Sequence, residues 1–408
     1  MRKSVLFLCI LLACLLCGCR GRSLQLSNTY KDSEKYQAGS FSYRASDIDA
    51  ISIDYNSGDV TIVQSDSATL NVTENGLSLS DAQKVHWYLD GRTLRIKFCK
   101  SGFTGTFLMN SKKLTVEIPA GIRVDAAVTS GNIAFATDIE ASELNIAATS
   151  GSIGALTLKS NSLNAGMTSG TIRIDRIDTG EAAFGVTSGS IFIDTLIADR
   201  ANLGGTSCRV EVTVAIVDEI NMGATSGNLK VGLASCRKAE IECASGDIDI
   251  TALPADGATV QYARTSGSLK ASGYSTVDGK LVFGKGGCQL KVGTTSGDLS
   301  ISEGGAFISI RLAANPTTGC TWRVEVKDPT VVRYEGSEYE PDKVAEGIVG
   351  SGGYETFIFR CLKQGETEVD FIYGHAWAKD EIYDGMTAQI RVDSKLKGTA
   401  VYPVSGLK

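Results

Sequence analysis

Apolar and polar residues alternate from Ala50 onward, as in Ile51-Ser52-Ile53-Asp54-Tyr55 and Val60-Thr61-Ile62. A period of two sends successive side chains to opposite faces, which predicts strands with one buried face. Val85 to Phe98 alternates on either side of Asp90-Gly91, a dipeptide that predicts a β-hairpin with a type I′ turn. Leu114 to Ile118 is a further strand, closed by Pro119-Ala120-Gly121. Beyond it a longer period is superimposed. Thr-Ser-Gly recurs with its glycine at 131, 151, 170, 189, 227, 267 and 297, and Thr206-Ser207-Cys208 and Ala244-Ser245-Gly246 are degenerate copies. The intervals are 20, 19, 19, 19, 19, 19, 21 and 30 residues, the last holding an insertion. Two residues after each glycine position comes an aliphatic: Ile133, Ile153, Ile172, Ile191, Val210, Leu229, Ile248, Leu269 and Leu299. Most copies place a second one two further on, among them Ile174, Ile193, Val212, Val231, Ile250 and Ile301.

A unit of about 19 residues cannot bury its apolar face alone, so the copies must stack. The fold class that follows for residues 46–302 is a parallel β-solenoid of ~19-residue coils, with glycines in one column and aliphatics in another. At about 4.8 Å per coil, about ten coils would make a rod on the order of 45 Å long. The glycine column belongs at a corner needing φ > 0, and the Ser/Thr ladder is foremost a stacking device. Ser57-Gly58-Asp59-Val60 reads as an outlying first copy. Cys208, at a glycine position, requires either a left-handed cysteine or a remodelled corner.

From Gly304 the period disappears. Strands at Phe307 to Leu312, Trp322 to Val326, Val331 to Tyr334, Tyr354 to Arg360, Glu366 to Tyr373 and Met386 to Val392 predict an immunoglobulin-like β-sandwich over 303–408. The whole chain is therefore all-β.

At the other end, Arg2 and Lys3 precede an apolar run from Val5 to Leu16, of signal-peptide length and too short to span a bilayer. It ends in Leu16-Cys17-Gly18-Cys19, which resembles the bacterial lipobox. That resemblance implies cleavage after residue 18, acylation of Cys19, and an exported chain held by its lipid on the outer face of a bacterial cell membrane. Residues 19–45 read as a polar tether.

Composition then narrows the function. A net charge of −6 gives no electrostatic footprint for nucleic acid. The two histidines, His86 and His375, are too few for a histidine-rich metal site. His86 reads as a surface residue of the hairpin, so no enzyme, metal or cofactor is expected. Outside the leader stand Cys99, Cys208, Cys236, Cys243, Cys288, Cys320 and Cys361. An odd number leaves at least one unpaired, and buried free thiols are expected for most.

The most specific chemistry lies at Asn315-Pro316-Thr317-Thr318-Gly319, followed by Cys320-Thr321-Trp322. Pro316 presets φ and Gly319 tolerates φ > 0, so the two threonines sit on a stiff, uncharged tip. Gly350-Ser351-Gly352-Gly353 precedes one later strand, and His375-Ala376-Trp377 follows another. In order, these three stretches resemble the chagasin family of protein inhibitors of papain-like cysteine peptidases, over roughly residues 304–402. The repeats in turn resemble an adhesin-like bacterial family of unassigned function.

The chagasin resemblance implies a reversible wedge formed by three loops and no covalent bond. Thr317 and Thr318 would approach the catalytic Cys–His pair of the peptidase with hydroxyls and backbone groups. Gly350, Gly352 and Gly353 would let main chain lie close to the peptidase, and Trp377 would anchor the edge. One departure matters: the family's third loop reads Arg-Pro-Trp where this chain has His375-Ala376-Trp377. The expected function is a membrane-anchored surface lipoprotein that inhibits papain-like cysteine peptidases. The rival is an adhesive surface protein whose sandwich binds without inhibiting.

Overall fold

The computed structural model describes residues 29–75, 79–104, 112–254, 256–302, 307–341, 352–375, 382–394 and 398–402. The expected leader, Cys19 and the start of the tether lie outside them, as do Gly350, Ala376 and Trp377.

The repeats form a parallel β-solenoid. Val60, Ile133 and Ile153 are in register across successive coils, and so are Val210, Leu229, Ile248 and Leu299. All of these are at most 1% exposed, because an apolar column one strand spacing apart excludes water along its whole length. The glycine corners are demanded by their neighbours as well as by their own backbone. Gly131 has φ +146°, and a Cβ there would lie 2.0 Å from the carbonyl oxygen of Gly58. At Gly227 a Cβ would lie 1.9 Å from that of Cys208. Cys208 itself is not left-handed. It turns inward to 3% exposure beside Gly205, where an added Cβ would meet the Val186 carbonyl oxygen at 1.8 Å and Cys208 Sγ at 3.2 Å. The corner is remodelled, with the close approach carried by Gly205.

The stacking order departs from chain order at both ends. Thr93–Lys97 and Lys113–Ile118 pair in parallel with the outer edges of Ala50–Ser57 and Asp59–Gln64, whose inner edges pair with Arg123–Ser130 and Ile133–Phe135. The coil at 93–118 is thus the last parallel one, its outer edge covered by the antiparallel strands His86–Asp90 and Thr69–Asn75, and the earlier coil lies inside it. At the far end Leu229–Ser245 pairs with Cys288–Ser296, and Gly257–Ser266 lies on the other side of that strand. The chain passes over one coil position, builds 257–271 and the Tyr274–Val277/Lys280–Gly284 hairpin, then returns to fill the gap. The hairpin is the insertion that lengthens the Gly267–Gly297 interval to 30 residues.

Three expectations are corrected. Residues 29–45 are not all tether: Gln37–Ala38 and Phe41–Arg44 pair with His86–Asp90 and Thr69–Asn75, and Tyr30 Oη donates to the Cys99 carbonyl at 2.9 Å. In the hairpin Asp90 pairs with Thr93, so the turn residues are Gly91 and Arg92. Only Gly91 is left-handed, with φ +60°, which fits type II′ rather than I′. His86 is buried, not on the surface, with Nδ1 2.9 Å from the Lys84 carbonyl oxygen, and burial pushes its pKa down.

The C-terminal region is the expected sandwich. One sheet holds Phe307–Ala314, Gly353–Cys361 and Val332–Pro341; the other holds Cys320–Val326, Gly365–His375, Ile382–Val392 and Gly398–Val401. Phe357, Phe359, Phe371, Trp322 and Ile390 fill the space between them. The sandwich is not an outward extension of the rod but lies against its flank. Ile358, between the inward-facing Phe357 and Phe359, packs with Val214, Ile216 and Ala234 of the solenoid. A bulge between Tyr334 and Gly336 inserts Glu335 beside them. Its buried carboxylate accepts a hydrogen bond from Thr195 Oγ1 at 3.0 Å and pairs with Arg333 and Arg360, while Asp194 pairs with Arg333 at 2.9 Å.

Candidate functional site

Strand register alone assembles the site. Ala314, the last residue before the turn, pairs with Gly353, and Cys320, the first after it, pairs with His375. The Asn315–Gly319 stretch is therefore flanked by the second and third predicted stretches, one on each sheet. Among the described residues, Asn315, Pro316, Thr317, Thr318, Gly319, Gly352, Gly353 and His375 stand at one end of the sandwich.

Pro316–Thr318 forms a single 3-10 turn with proline at its start, where a missing N–H costs nothing. Gly319 closes it at φ +79°, and its N–H donates to the Pro316 carbonyl at 3.0 Å. Asn315 organises the tip. Thr317 Oγ1 donates to its Oδ1 at 2.5 Å, and Thr318 Oγ1 donates to its carbonyl at 2.7 Å. Both threonines are exposed, but their hydroxyl protons are used within the turn. What the tip offers outward is methyl groups, main chain and the free lone pairs of the hydroxyl oxygens.

Beneath the turn lies Trp322, 7% exposed, with Nε1 donating to the Ala313 carbonyl at 2.8 Å. Its ring packs 4.9 Å from that of Tyr373. Tyr373 is the supporting residue that motif reading missed: its Oη accepts the Asn315 N–H at 2.9 Å. A buried tyrosine must place its hydroxyl on a partner, but nothing in the sequence says that the partner is the turn 58 residues away.

The two described glycines differ. Gly353 is buried between strands, and a Cβ there would lie 2.3 Å from the Glu340 carbonyl oxygen, so its small size serves the sheet. Gly352, half-buried, stands at the rim. His375 is part of a strand rather than a loop tip. Its Nδ1 lies 3.5 Å from Cys320 Sγ and from the Gly319 carbonyl oxygen, and its ring meets the exposed Tyr383 edge-on at 5.2 Å. No group of three metal-ligating side chains occurs among the described residues.

Fold and site together define a two-part all-β protein: a stacked-coil domain carrying a sandwich with the Asn315–Gly319 turn, Gly353 and His375 at one end. The chain belongs to the Toastrack DUF4097 family, whose model matches residues 48–302, and residues 303–392 match the chagasin family peptidase inhibitor I42. No curated protein matches. Among solved structures, a cysteine protease inhibitor from Entamoeba histolytica is 24% identical over 21% of this chain and 78% of its own, with a TM-score of 0.20. A putative adhesin from Bacteroides fragilis is 12% identical over 64% of this chain and 96% of its own, with a TM-score of 0.36. A putative lipid binding protein from Parabacteroides distasonis is 16% identical over 65% and 97%, also with a TM-score of 0.36.

Proposed function

We propose that this protein is an exported, lipid-anchored surface protein whose sandwich inhibits papain-like cysteine peptidases by reversible occlusion of the active-site cleft. The observation that carries the reading is the Asn315–Gly319 turn: internally hydrogen-bonded, uncharged and stiff, it stands between Gly353 and His375 in a domain matched by the chagasin-family model. A papain-like peptidase holds a reactive thiolate beside a histidinium at the bottom of a cleft. A blunt turn whose main chain is tied to its own side chains fills such a cleft without presenting an extended strand for cleavage. Gly352 at the rim leaves room for close approach, and Trp377 supplies an aromatic anchor of the kind that dominates binding energy.

The test is titration of papain and a cathepsin L-type enzyme with the full chain, beside Thr317→Ala and Trp377→Ala. Competitive inhibition in the submicromolar range, weakened by either substitution, supports the wedge. A folded chain that leaves both enzymes fully active overturns it.

The loss of arginine and proline before Trp377 favours the second reading, an adhesive protein whose sandwich recognises a partner without inhibiting. Peptidase binding without loss of activity would select it. Export and anchoring are tested separately. A labelled fatty acid should be incorporated into the protein in a bacterial host and be lost in Cys19→Ala.

A further inference from the structure

The seven cysteines of the described residues are all buried, and none is joined to another in the structure. Two of them stand apart: Cys236 Sγ lies 2.9 Å from Cys288 Sγ, and no other pair of cysteine sulfurs among the described residues makes such a contact. Cys236 lies on the Leu229–Ser245 strand, two residues before Lys238, which pairs with Gln289; Cys288 immediately precedes Gln289 on the neighbouring coil. The two are 9% and 0% exposed. The contact falls where the stack departs from chain order. Cys236 belongs to the last of the coils stacked in sequence, and Cys288 opens the coil that returns after the 257–284 excursion.

We propose that Cys236 and Cys288 form a disulfide that fastens the returning coil into its gap. A covalent link over 52 residues restricts the unfolded excursion, which is where such a bond acts in the chain-entropy account. It also fixes one register for a coil that must insert between two others. The oxidant is a disulfide, either a small one such as oxidised glutathione or that of a thiol oxidase. The Cys236 thiolate attacks one of its sulfurs and releases one thiolate, giving a mixed disulfide. The Cys288 thiolate then attacks the Cys236 sulfur and releases the second. The two protons lost by the Cys236 and Cys288 thiols are taken up by the two released thiolates, so the oxidant ends as two thiols. The hydrogen bond with Cys288, and then burial, raise the Cys236 pKa, so exchange belongs to assembly, before the coils close. A metal bridge would need further ligands, and no group of three occurs among the described residues. In the cell the bond needs the oxidising surroundings of an exported chain and so rests on that part of the proposed function; it is independent of peptidase inhibition, and the test depends on neither.

The chain from Arg20 onward is unfolded under reductant and refolded with reduced and oxidised glutathione. Remaining thiols are blocked, and the protein is digested without reduction. The expected result is one joined peptide pair carrying Cys236 and Cys288. The unfolding midpoint should then fall by roughly 5 °C or more when reductant is added. Cys236→Ser should contain no disulfide and show no response to reductant. Seven blocked thiols in a chain with native β circular dichroism, thiols shielded by a retained metal, or a bond joining other cysteines each overturns the proposal. Mapping of the unsubstituted chain decides the matter alone if the variant fails to fold.

Discussion

Individual residues carry two kinds of constraint here, one from a neighbouring coil and one from the turn. At Gly227 an alanine would put its Cβ 1.9 Å from a backbone oxygen that sits in a sheet and cannot give way, at a φ of +122°. Gly227→Ala should therefore cost roughly 3 kcal/mol or more. At Gly154 an added Cβ would meet nothing within 4 Å, and the backbone there is not left-handed. Gly154→Ala should stabilise by about 0.4–1 kcal/mol through the unfolded chain. Thermal or denaturant unfolding of both variants checks the contrast, and equal losses would refute the packing argument. In the turn, Tyr373→Phe removes the acceptor of the Asn315 N–H while keeping the ring that packs on Trp322. A loss of about 1 kcal/mol in stability is expected, with inhibition weakened severalfold as the turn loosens. An unchanged inhibition constant would mean that the turn is held without the phenol.

At the scale of elements, the Gly365–His375 strand makes the sandwich sensitive to acid. Lys327 and Thr387 hold the Asp370 carboxyl below its ordinary value of 3.8, Lys327 by an ion pair at 2.7 Å and Thr387 by a hydrogen bond at 2.6 Å. A lowered folded pKa means that the unfolded chain takes up the proton first. The stabilisation is full above 3.8 and is lost as pH falls below that toward the folded value. Asp370→Asn should flatten this acid limb, as read from unfolding midpoints across a pH series; a limb of undiminished slope would assign it to other carboxylates.

The strands themselves were legible because alternation and turn chemistry are local. All six expected sandwich strands are present, and among the described residues the short Gly398–Val401 is the one strand the pattern does not predict. The order of stacking was not legible. Each coil offers its neighbours the same glycine corner and the same aliphatic pair, so a 19-residue period is satisfied whichever coil lies next. The cue in the sequence was the irregular interval, which marks an excursion but not its direction. Of the site, the turn and its proximity to Gly353 and His375 followed from motif and strand order. The internal use of both threonine hydroxyls did not, because Asn315 can accept them only once the 3-10 turn has formed.

For the molecule as a whole, the join between the two parts decides how the Asn315–Gly319 turn is presented. On the solenoid flank, Val214 and Ile216 interrupt strict alternation: their neighbours Ala215 and Val217 enter the solenoid core, whereas they face the sandwich. The apolar run Val214-Ala215-Ile216-Val217 was thus a signal of a face buried on both sides. Next to it the Glu335 carboxylate is satisfied by a solenoid threonine and by the sandwich's own arginines, so the join combines apolar contact with a buried, compensated charge. Ile216→Asp attacks the join without touching either core. It places a carboxylate against Ile358, a change that removes the apolar contact and adds the cost of burying or exposing a charge. We expect the native chain to unfold with the two parts coupled, and the Ile216→Asp chain to show separate transitions for solenoid and sandwich in calorimetry. Inhibition of papain should persist, because the turn, Gly353 and His375 lie within the sandwich's own sheets. Loss of inhibition together with the join would instead make the solenoid a participant in peptidase recognition, and a single undivided transition would mean that the flank contact does not couple the two parts.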